Sequence, residues 1–186
     1  MLKLSVLDQS IAAEGVSEAQ SIRDTIALAK RCEDLAYARF WVSEHHNHPT
    51  IVGTAPEIMM AAIGQSTSRI RIGSAGVMLP HYAPFKVAEQ FRVLDAIAPG
   101  RIDLGLGRAP GSDQKTAYAM NPNAGQAAEH FPENVRDLMA WVTDEPLIDR
   151  HPHTGLVAHP KGETSPDVWM LGTSDYGAQV AAHFGL

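Results

Sequence analysis

Aliphatic and β-branched residues run directly into polar turns three times within the first 108 residues of this chain. The three stretches are residues 39–46, 69–76 and 101–108. Amphipathic segments of helical period separate them, so the pattern predicts strands that alternate with helices. Such alternation is typical of parallel α/β proteins, whose functional residues gather at the carboxyl ends of the strands.

Periodicity and end signals predict the individual elements. Strands are expected at about residues 2–7, 40–43, 70–74, 101–106 and 168–171. Helices are expected at about residues 18–35, 56–65, 84–97 and 124–143, and from about residue 176 onward. Ser17 is the candidate N-cap of the first helix, and Pro132 is expected to kink or restart the fourth. The apolar face of the first helix is predicted to be Ile22, Ile26, Ala29 and Leu35.

The number of predicted strands is too small for a closed eight-stranded barrel. Residues 109–167 break the repeat and are predicted to form an excursion between the fourth and fifth strands. A closed (β/α)8 barrel typically needs about 250 residues, and this chain has 186. We therefore predict an incomplete, TIM-barrel-like α/β domain over residues 1–186. It is expected to be either the amino-terminal part of a larger barrel or a reduced relative that pairs with another chain.

Composition narrows the class of partner. The net charge is −6 and there is no run of Lys or Arg, which argues against nucleic acid or a membrane surface as the partner. Cys32 is the only cysteine, which fits a reducing compartment, and it is expected to be a small buried hydrophobe. No signal peptide or membrane-spanning run is visible, so a cytoplasmic protein is expected.

Two turns carry candidate chemistry. Residues 172–175 precede a predicted helix, whose free N–H groups suit a phosphate, and Arg108 at a neighbouring strand end can supply the cation. The alternative is that Ser174 or Asp175 merely caps the helix while Arg108 forms a structural salt bridge. His45 and His46 are adjacent and point opposite ways, and we expect His45 to face the site.

A metal site is the competing interpretation of the histidines. His45, His46, His48 and His81 supply imidazoles, and a zinc site needs three ligands that converge. Their spacing does not place three of them on one face of a helix or strand, so no metal is expected. Glu44 is expected to orient a neighbouring ring by a hydrogen bond rather than to act as a base.

Three motifs in order resemble one known family. They are residues 43–46 (Ser-Glu-His-His), residues 73–84 (Gly-Ser-Ala-Gly-Val-Met-Leu-Pro-His-Tyr-Ala-Pro) and residues 98–108 (Ala-Pro-Gly-Arg-Ile-Asp-Leu-Gly-Leu-Gly-Arg). The chain resembles the bacterial luciferase-like flavin-dependent monooxygenases over nearly its whole length. That resemblance implies part of a (β/α)8 barrel that binds a flavin.

The resemblance also implies roles for particular residues. His45, with Glu44 beside it, would lie next to the flavin and support its oxygen chemistry. Residues 75–76 (Ala75 and Gly76) would form a non-proline cis peptide beneath the flavin ring, where the glycine keeps the ring face uncrowded. Arg108 would bind the flavin phosphate.

The strand-five turn, with Thr173 and Ser174, would hold the same phosphate. Gly107 stands where the luciferase subunit has a reactive Cys, and Thr173 stands where it has an acid. The implied site therefore binds flavin without the features linked to light emission.

The resemblance implies a monooxygenase that uses reduced FMN and O₂ on a small organic substrate. No nicotinamide motif is present, so a separate flavin reductase would supply the reduced FMN, and a deazaflavin in place of FMN is compatible with these residues. The rival hypothesis is a flavin-binding or self-associating barrel fragment without turnover. In both cases exposed sheet edges favour a homo-oligomer.

The remaining aromatic, methionine and histidine residues are expected to be structural. Core positions are predicted for Trp41, Met59, Met60, Trp141 and Met170. A solvated loop is predicted to hold His151, His153 and His159.

Overall fold

A computed structural model describes residues 2–109 and 113–186 of the chain. The first half contains β1 (Ser5–Asp8), α1 (Glu18–Asp34), β2 (Arg39–Val42), α2 (Pro56–Ser66), β3 (Arg71–Ser74), β4 (Val77–Met78), a 3₁₀ turn (Leu79–His81), α3 (Pro84–Ile97) and β5 (Ile102–Gly107). The second half contains α4 (Gln114–Met120), α5 (Ala124–Glu129), α6 (Phe131–Thr143), β6 (Asp167–Leu171) and α7 (Asp175–Phe184). No described helix is both long enough and apolar enough to cross a membrane.

The six described strands form one parallel sheet. The order is β1-β2-β3-β5, with β6 paired to the other edge of β5. β3 and β4 pair with opposite ends of the same edge of β5, at residues 102–103 and 106–107. They therefore form a single strand position that is interrupted at residues 75–76. The sheet thus has the five positions that the sequence predicts, and the interruption is a feature that the sequence pattern missed.

One face of the sheet is covered by helices and holds the core. Phe40, Ile72 and Leu104 project from β2, β3 and β5 and are fully buried. Phe91 of α3 and Leu138 of α6 are buried in the same cluster. Each such side chain stabilises the fold by about 1.5–3 kcal/mol relative to exposure. This layer sets the spacing of the strands and so the spacing of the turns that follow them.

The opposite face, which we call the inner face, is polar and partly exposed. Asp103 is fully buried there and accepts hydrogen bonds from Arg71 Nη2 at 2.6 Å, Arg39 Nε at 3.1 Å and Trp41 Nε1 at 2.9 Å. These side chains share a face because register partners in a parallel sheet project in the same direction. Trp169 of β6 lies on this face and is 37% exposed.

Helix α1 buries the predicted Ala29 and packs the predicted Ile22 and Ile26 against the core, but two of its other buried positions were not predicted. Ser17 caps it as expected, since its Oγ accepts a hydrogen bond from Gln20 N at 3.2 Å. The fully buried positions are Ser21, Thr25, Ala29 and Cys32, whereas Leu35 is 55% exposed. One of these side chains links α1 to the end of β1, since Thr25 Oγ1 donates to Asp8 Oδ1 at 2.8 Å. The prediction that Cys32 is buried is confirmed.

The excursion is more helical than predicted. The predicted helix at residues 124–143 is two helices, because α5 ends before Pro132 and α6 begins with that proline in its first turn. Helix α4 was not predicted. Its N-cap is Asp113, whose Oδ1 accepts hydrogen bonds from Lys115 N at 2.9 Å and Thr116 N at 3.0 Å. That acidic cap was the available signal.

The prediction that His151 lies in a solvated loop is wrong. Its Nε2 lies 3.0 Å from Asp137 Oδ2, and its side chain is only 9% exposed. This contact joins the excursion to α6. His153 and His159 are exposed, as predicted.

Candidate functional site

The carboxyl ends of β2, β4, β5 and β6 border one cleft of about 580 Å³. Every predicted site residue lines it, from four separate turns of the chain: Glu44, His45, Ala75, Gly76, Gly107, Arg108, Thr173 and Ser174. Parallel strands bring their carboxyl ends to the same edge, which explains why turns so distant in sequence meet here. Their proximity is observed, and their chemical roles stay predictions.

The floor of the cleft contains a non-proline cis peptide between Ala75 and Gly76. The resemblance implied this bond, and the packing of the strands gives a second reason for the glycine. A Cβ at Gly76 would lie 2.8 Å from the carbonyl oxygen of Gly105, and one at Gly105 would lie 2.0 Å from that of Ser74. Close packing of β5 against this segment therefore excludes side chains at both positions.

The side chain of Ser74 bonds to the backbone of β5 at the point where β3 ends. Its Oγ donates to the carbonyl oxygen of Gly105 at 2.9 Å and accepts from Gly105 N at 3.0 Å. The side chain thus satisfies backbone groups that an uninterrupted strand would pair. Sequence analysis did not single out Ser74, because nothing in the local pattern marks the interruption.

Glu44 lies at the cleft, and its buried carboxylate accepts several hydrogen bonds; its side chain is 1% exposed. Its Oε2 accepts from Met78 N at 2.9 Å, and its Oε1 accepts from His46 Nε2 at 2.9 Å and from the Tyr82 hydroxyl. Burial and the hydrogen bond to Glu44 raise the pKa of Tyr82, so its hydroxyl stays protonated. Both carboxylate oxygens are therefore occupied, and the ring that Glu44 orients is that of His46.

His45 lines the cleft, whereas His46 does not. His45 Nδ1 lies 3.1 Å from Ser43 Oγ, and its backbone N donates to the carbonyl oxygen of Gly53 at 3.1 Å. Burial, followed by the nearby His48, lowers the pKa of His45 below its usual value. The imidazole is therefore neutral at neutral pH and can accept or donate one proton.

The other end of the cleft is cationic. Arg108 has no acidic partner among residues 2–109 and 113–186, and Ser174, the N-cap of α7, makes no side-chain bond to the described backbone of that helix. The structural alternative for these residues, a helix cap plus a salt bridge, is therefore absent from the described chain. Arg108 instead stacks on Tyr176, with Cζ at 4.4 Å from the ring centroid.

Several lining residues were missed by the sequence analysis. Met170 was predicted to lie in the core; it packs against the core and also lines the cleft from β6. The same cleft is lined by further residues for which no role in the site was predicted: Met78, Ala109, Ala128, Phe131, Leu171, Gly172, Tyr176 and Gly177. Ala128 and Phe131 belong to α5 and α6, so the excursion forms part of the wall. The available signal for Met170 was its position at a strand end.

The histidines do not assemble a metal site in the described part of the chain. His48 Nδ1 accepts hydrogen bonds from the backbone N–H groups of Thr50 at 3.2 Å and Ile51 at 3.1 Å. No group of three or more His, Cys, Asp or Glu side chains among the described residues is placed to hold a metal ion. The lone pair of His48 instead stabilises a turn.

Comparison with known proteins decides the family. A family model described as luciferase-like monooxygenase matches residues 2–186. The chain belongs to the luciferase-like monooxygenase family.

Curated relatives of this luciferase-like chain match it over its whole length. It is 46% identical over 185 residues to the uncharacterised protein YwcH of Bacillus subtilis, covering 100% of this chain and 55% of that protein. It is 42% identical over 186 residues to the N-acetyl-S-alkylcysteine monooxygenase of Bacillus subtilis, covering 100% of this chain and 55% of that protein. The luciferase-like chain therefore spans about half the length of these relatives.

Solved structures confirm the predicted fold class. The apo form of MsnO8 superposes with a TM-score of 0.88 at 38% identity, covering 100% of this chain and 54% of that one. The oxygenating constituent of 3,6-diketocamphane monooxygenase of Pseudomonas putida, in complex with FMN, gives a TM-score of 0.70 at 19% identity. The superposition covers 89% of this chain and 50% of that one. The latter likeness concerns the fold. The luciferase-like chain is thus an incomplete TIM barrel of parallel α/β units.

Proposed function

We propose that this chain binds FMN in the cleft and takes part in the monooxygenation of a small organic substrate. The observation that carries the proposal is the convergence of Arg108, the turn before α7 and the cis segment Ala75–Gly76 on a single cleft. These are the three components that a phosphorylated flat cofactor requires: a cation, N–H donors and a backbone surface with little side-chain bulk.

The phosphate end is supported by charge and by free donors. Arg108 can give two parallel hydrogen bonds to a phosphate, and the first turn of α7 presents backbone N–H groups and a positive dipole end. Thr173 and Ser174 add hydroxyl groups beside them. A phosphate dianion matches this donor set, because every group named here can donate, and the acidic Asp175 in the first turn of α7 is exposed and does not line the cleft.

The ring end is supported by shape and by hydrogen bonding. The backbone at Gly76 and Gly107 leaves room for a flat ring, and Met78, Phe131 and Met170 supply apolar contact. His45 is held through Nδ1 by Ser43, and no described residue bonds its Nε2. We propose that His45 holds a proton at Nε2 next to the reacting part of the cofactor.

When bound, reduced FMN supplies two electrons to O₂, so that one oxygen atom enters the substrate and the other leaves as water. The residues of this chain would bind the cofactor, orient it and exclude water. The Bacillus subtilis relative named for N-acetyl-S-alkylcysteine supports a small organic molecule as the class of substrate. A separate flavin reductase would supply the reduced cofactor, and the same cleft chemistry is compatible with a deazaflavin.

The exposed inner face favours a second candidate function. Leu7 of β1 is 57% exposed and Trp169 of β6 is 37% exposed, so described residues leave apolar surface of this face uncovered. A chain that holds flavin and associates with another copy, without turnover, is consistent with that surface. The rate at which O₂ reoxidises reduced FMN separates the two candidates, since only the enzyme is expected to change it.

Titration with FMN, followed by flavin fluorescence, tests the proposal. We expect saturable binding that weakens about tenfold or more in Arg108→Ala, because a charged hydrogen-bond donor to the phosphate is lost. Arg31→Ala is the matched control, since it removes the same charge from an exposed position of α1 outside the cleft. Absence of saturable binding, or equal weakening in both variants, would contradict the proposal.

A further inference from the structure

We infer that Tyr176 and the backbone carbonyl of Ala128 are positioning groups that preset Arg108 for the cofactor phosphate. The inference rests on the proposed function and extends it to residues outside the predicted site. Arg108 Cζ lies 4.4 Å from the centroid of the Tyr176 ring, and Arg108 Nε donates to the Ala128 carbonyl oxygen at 3.2 Å. Both contacts come from elements distant from Arg108 in sequence.

The two contacts constrain different motions of the guanidinium group. Contact with the ring face restrains the position of the guanidinium carbon, and the hydrogen bond from Nε restrains the rotation of the group. No acceptor among the described residues bonds Nη1 or Nη2 of Arg108. The side chain is therefore held through its ring-facing surface and its inner nitrogen, while neither terminal nitrogen bonds an acceptor within residues 2–109 and 113–186.

The partners of Arg108 orient it without neutralising it. A carboxylate partner would hold the side chain equally well, but it would compete with a phosphate and repel it. A neutral ring and a neutral carbonyl avoid that conflict. An exposed arginine otherwise loses side-chain entropy when it binds, so presetting it increases affinity for the anion.

This arrangement gives the excursion a specific role. Ala128 lies in α5 and Tyr176 lies in the first turn of α7, so the phosphate end needs both the excursion and the last helix in place. Tyr176 is half-buried and lines the cleft. The excursion thereby contributes to selection of phosphorylated over unphosphorylated flavin.

Parallel titrations with FMN and riboflavin test the inference, since riboflavin lacks the phosphate. In Tyr176→Leu, which keeps apolar bulk but removes the ring face, FMN affinity is expected to fall about two- to fivefold. Riboflavin affinity is expected to stay unchanged, because a loss of general packing would lower both. Tyr176→Phe keeps the ring and is expected to retain the wild-type preference for FMN.

The outcomes separate the inference from the proposed function. Tyr118→Leu is the control for an exposed tyrosine outside the cleft, and it is expected to behave like wild type. If wild type binds FMN and riboflavin equally, the phosphate site itself is absent. That result would contradict both the positioning role of Tyr176 and the proposed binding of FMN. If wild type prefers FMN and Arg108→Ala abolishes the preference while Tyr176→Leu keeps it, the positioning role alone is overturned.

Discussion

Glu44 follows β2 as part of a strand-end motif, yet its environment is built by residues far along the chain. Its carboxylate accepts from Met78 N and Tyr82 OH, which lie 34 and 38 positions away. A base would have to release one of these donors before taking a proton. The contacts instead support the expectation that Glu44 orients a neighbouring ring, here that of His46, and joins the His45 turn to the segment after the cis peptide.

The titration of His45 is a residue-scale prediction. Burial and His48 lower its pKa in the folded chain, so between the folded and unfolded pKa values the unfolded state binds more protons. Through that window the free energy of unfolding should rise with pH. We expect the His45 ring resonance to titrate below the usual value in NMR spectra, with His45→Gln used for assignment. A midpoint at or above that of an unfolded-chain peptide would contradict the burial argument.

At the scale of elements, Glu33 joins the end of α1 to the start of β3. Its carboxylate accepts from the backbone N–H groups of Ser68, Arg69 and Ile70, at distances down to 2.6 Å. Burial raises the pKa of Glu33, but these three hydrogen bonds and the charge of Arg69 outweigh it and lower the pKa overall. The carboxylate thereby holds the turn that sets where β3 begins.

We expect Glu33→Ala to lower the free energy of unfolding by about 1–2 kcal/mol at pH 7, because charged hydrogen bonds to the turn are lost. A lowered carboxyl pKa stabilises the fold above the unfolded pKa, and this is lost as pH falls through the folded pKa. The difference between variant and wild type should therefore shrink on acidification. Urea unfolding at several pH values measures it, with Glu14→Ala, at an exposed position before α1, as the control. A difference that does not change with pH would count against the charged contact.

At the scale of the whole molecule, the inner face is the largest departure from a closed barrel. Barrel interiors are normally filled by side chains from all eight strands. Here the Asp103 network fills one end of the face, while the rings of Trp41 and Trp169 meet edge to face at 5.4 Å and remain partly open to solvent. The outer edges of β1 and β6 have no strand partner among the described residues.

We propose that a second copy of the chain covers this face, since apolar surface and open edges both favour association. Light scattering after gel filtration is expected to give a dimer or larger species for wild type, and Leu7→Glu is expected to shift it towards monomer. Leu35→Glu is the matched control, because Leu35 is 55% exposed and Leu7 is 57% exposed, but Leu35 lies on the helix side. A monomeric wild type, or equal effects of both substitutions, would contradict association through the inner face.

The local sequence pattern was sufficient to predict much of the fold. Ser17, Pro56 and Pro84 mark helix starts that the structure reproduces, and α3 occupies the predicted residues 84–97. These signals work because capping and periodicity involve neighbours within a few positions in the chain. The turns that hold the candidate site were found for the same reason, since each follows a strand whose pattern is plain.

Long-range contact accounts for the features that the pattern missed. The side-chain-free approach of Gly76 to Gly105, the stacking of Arg108 on Tyr176 and the exposure of Met170 to the cleft each depend on elements brought together by the sheet. No residue near these positions encodes them, because the partner lies about 30 to 70 positions away and its approach is set by core packing. The order of strands and helices and the position of the candidate turns thus follow from local sequence, whereas the shape of the cleft and the orientation of its cation are decided only when the sheet assembles.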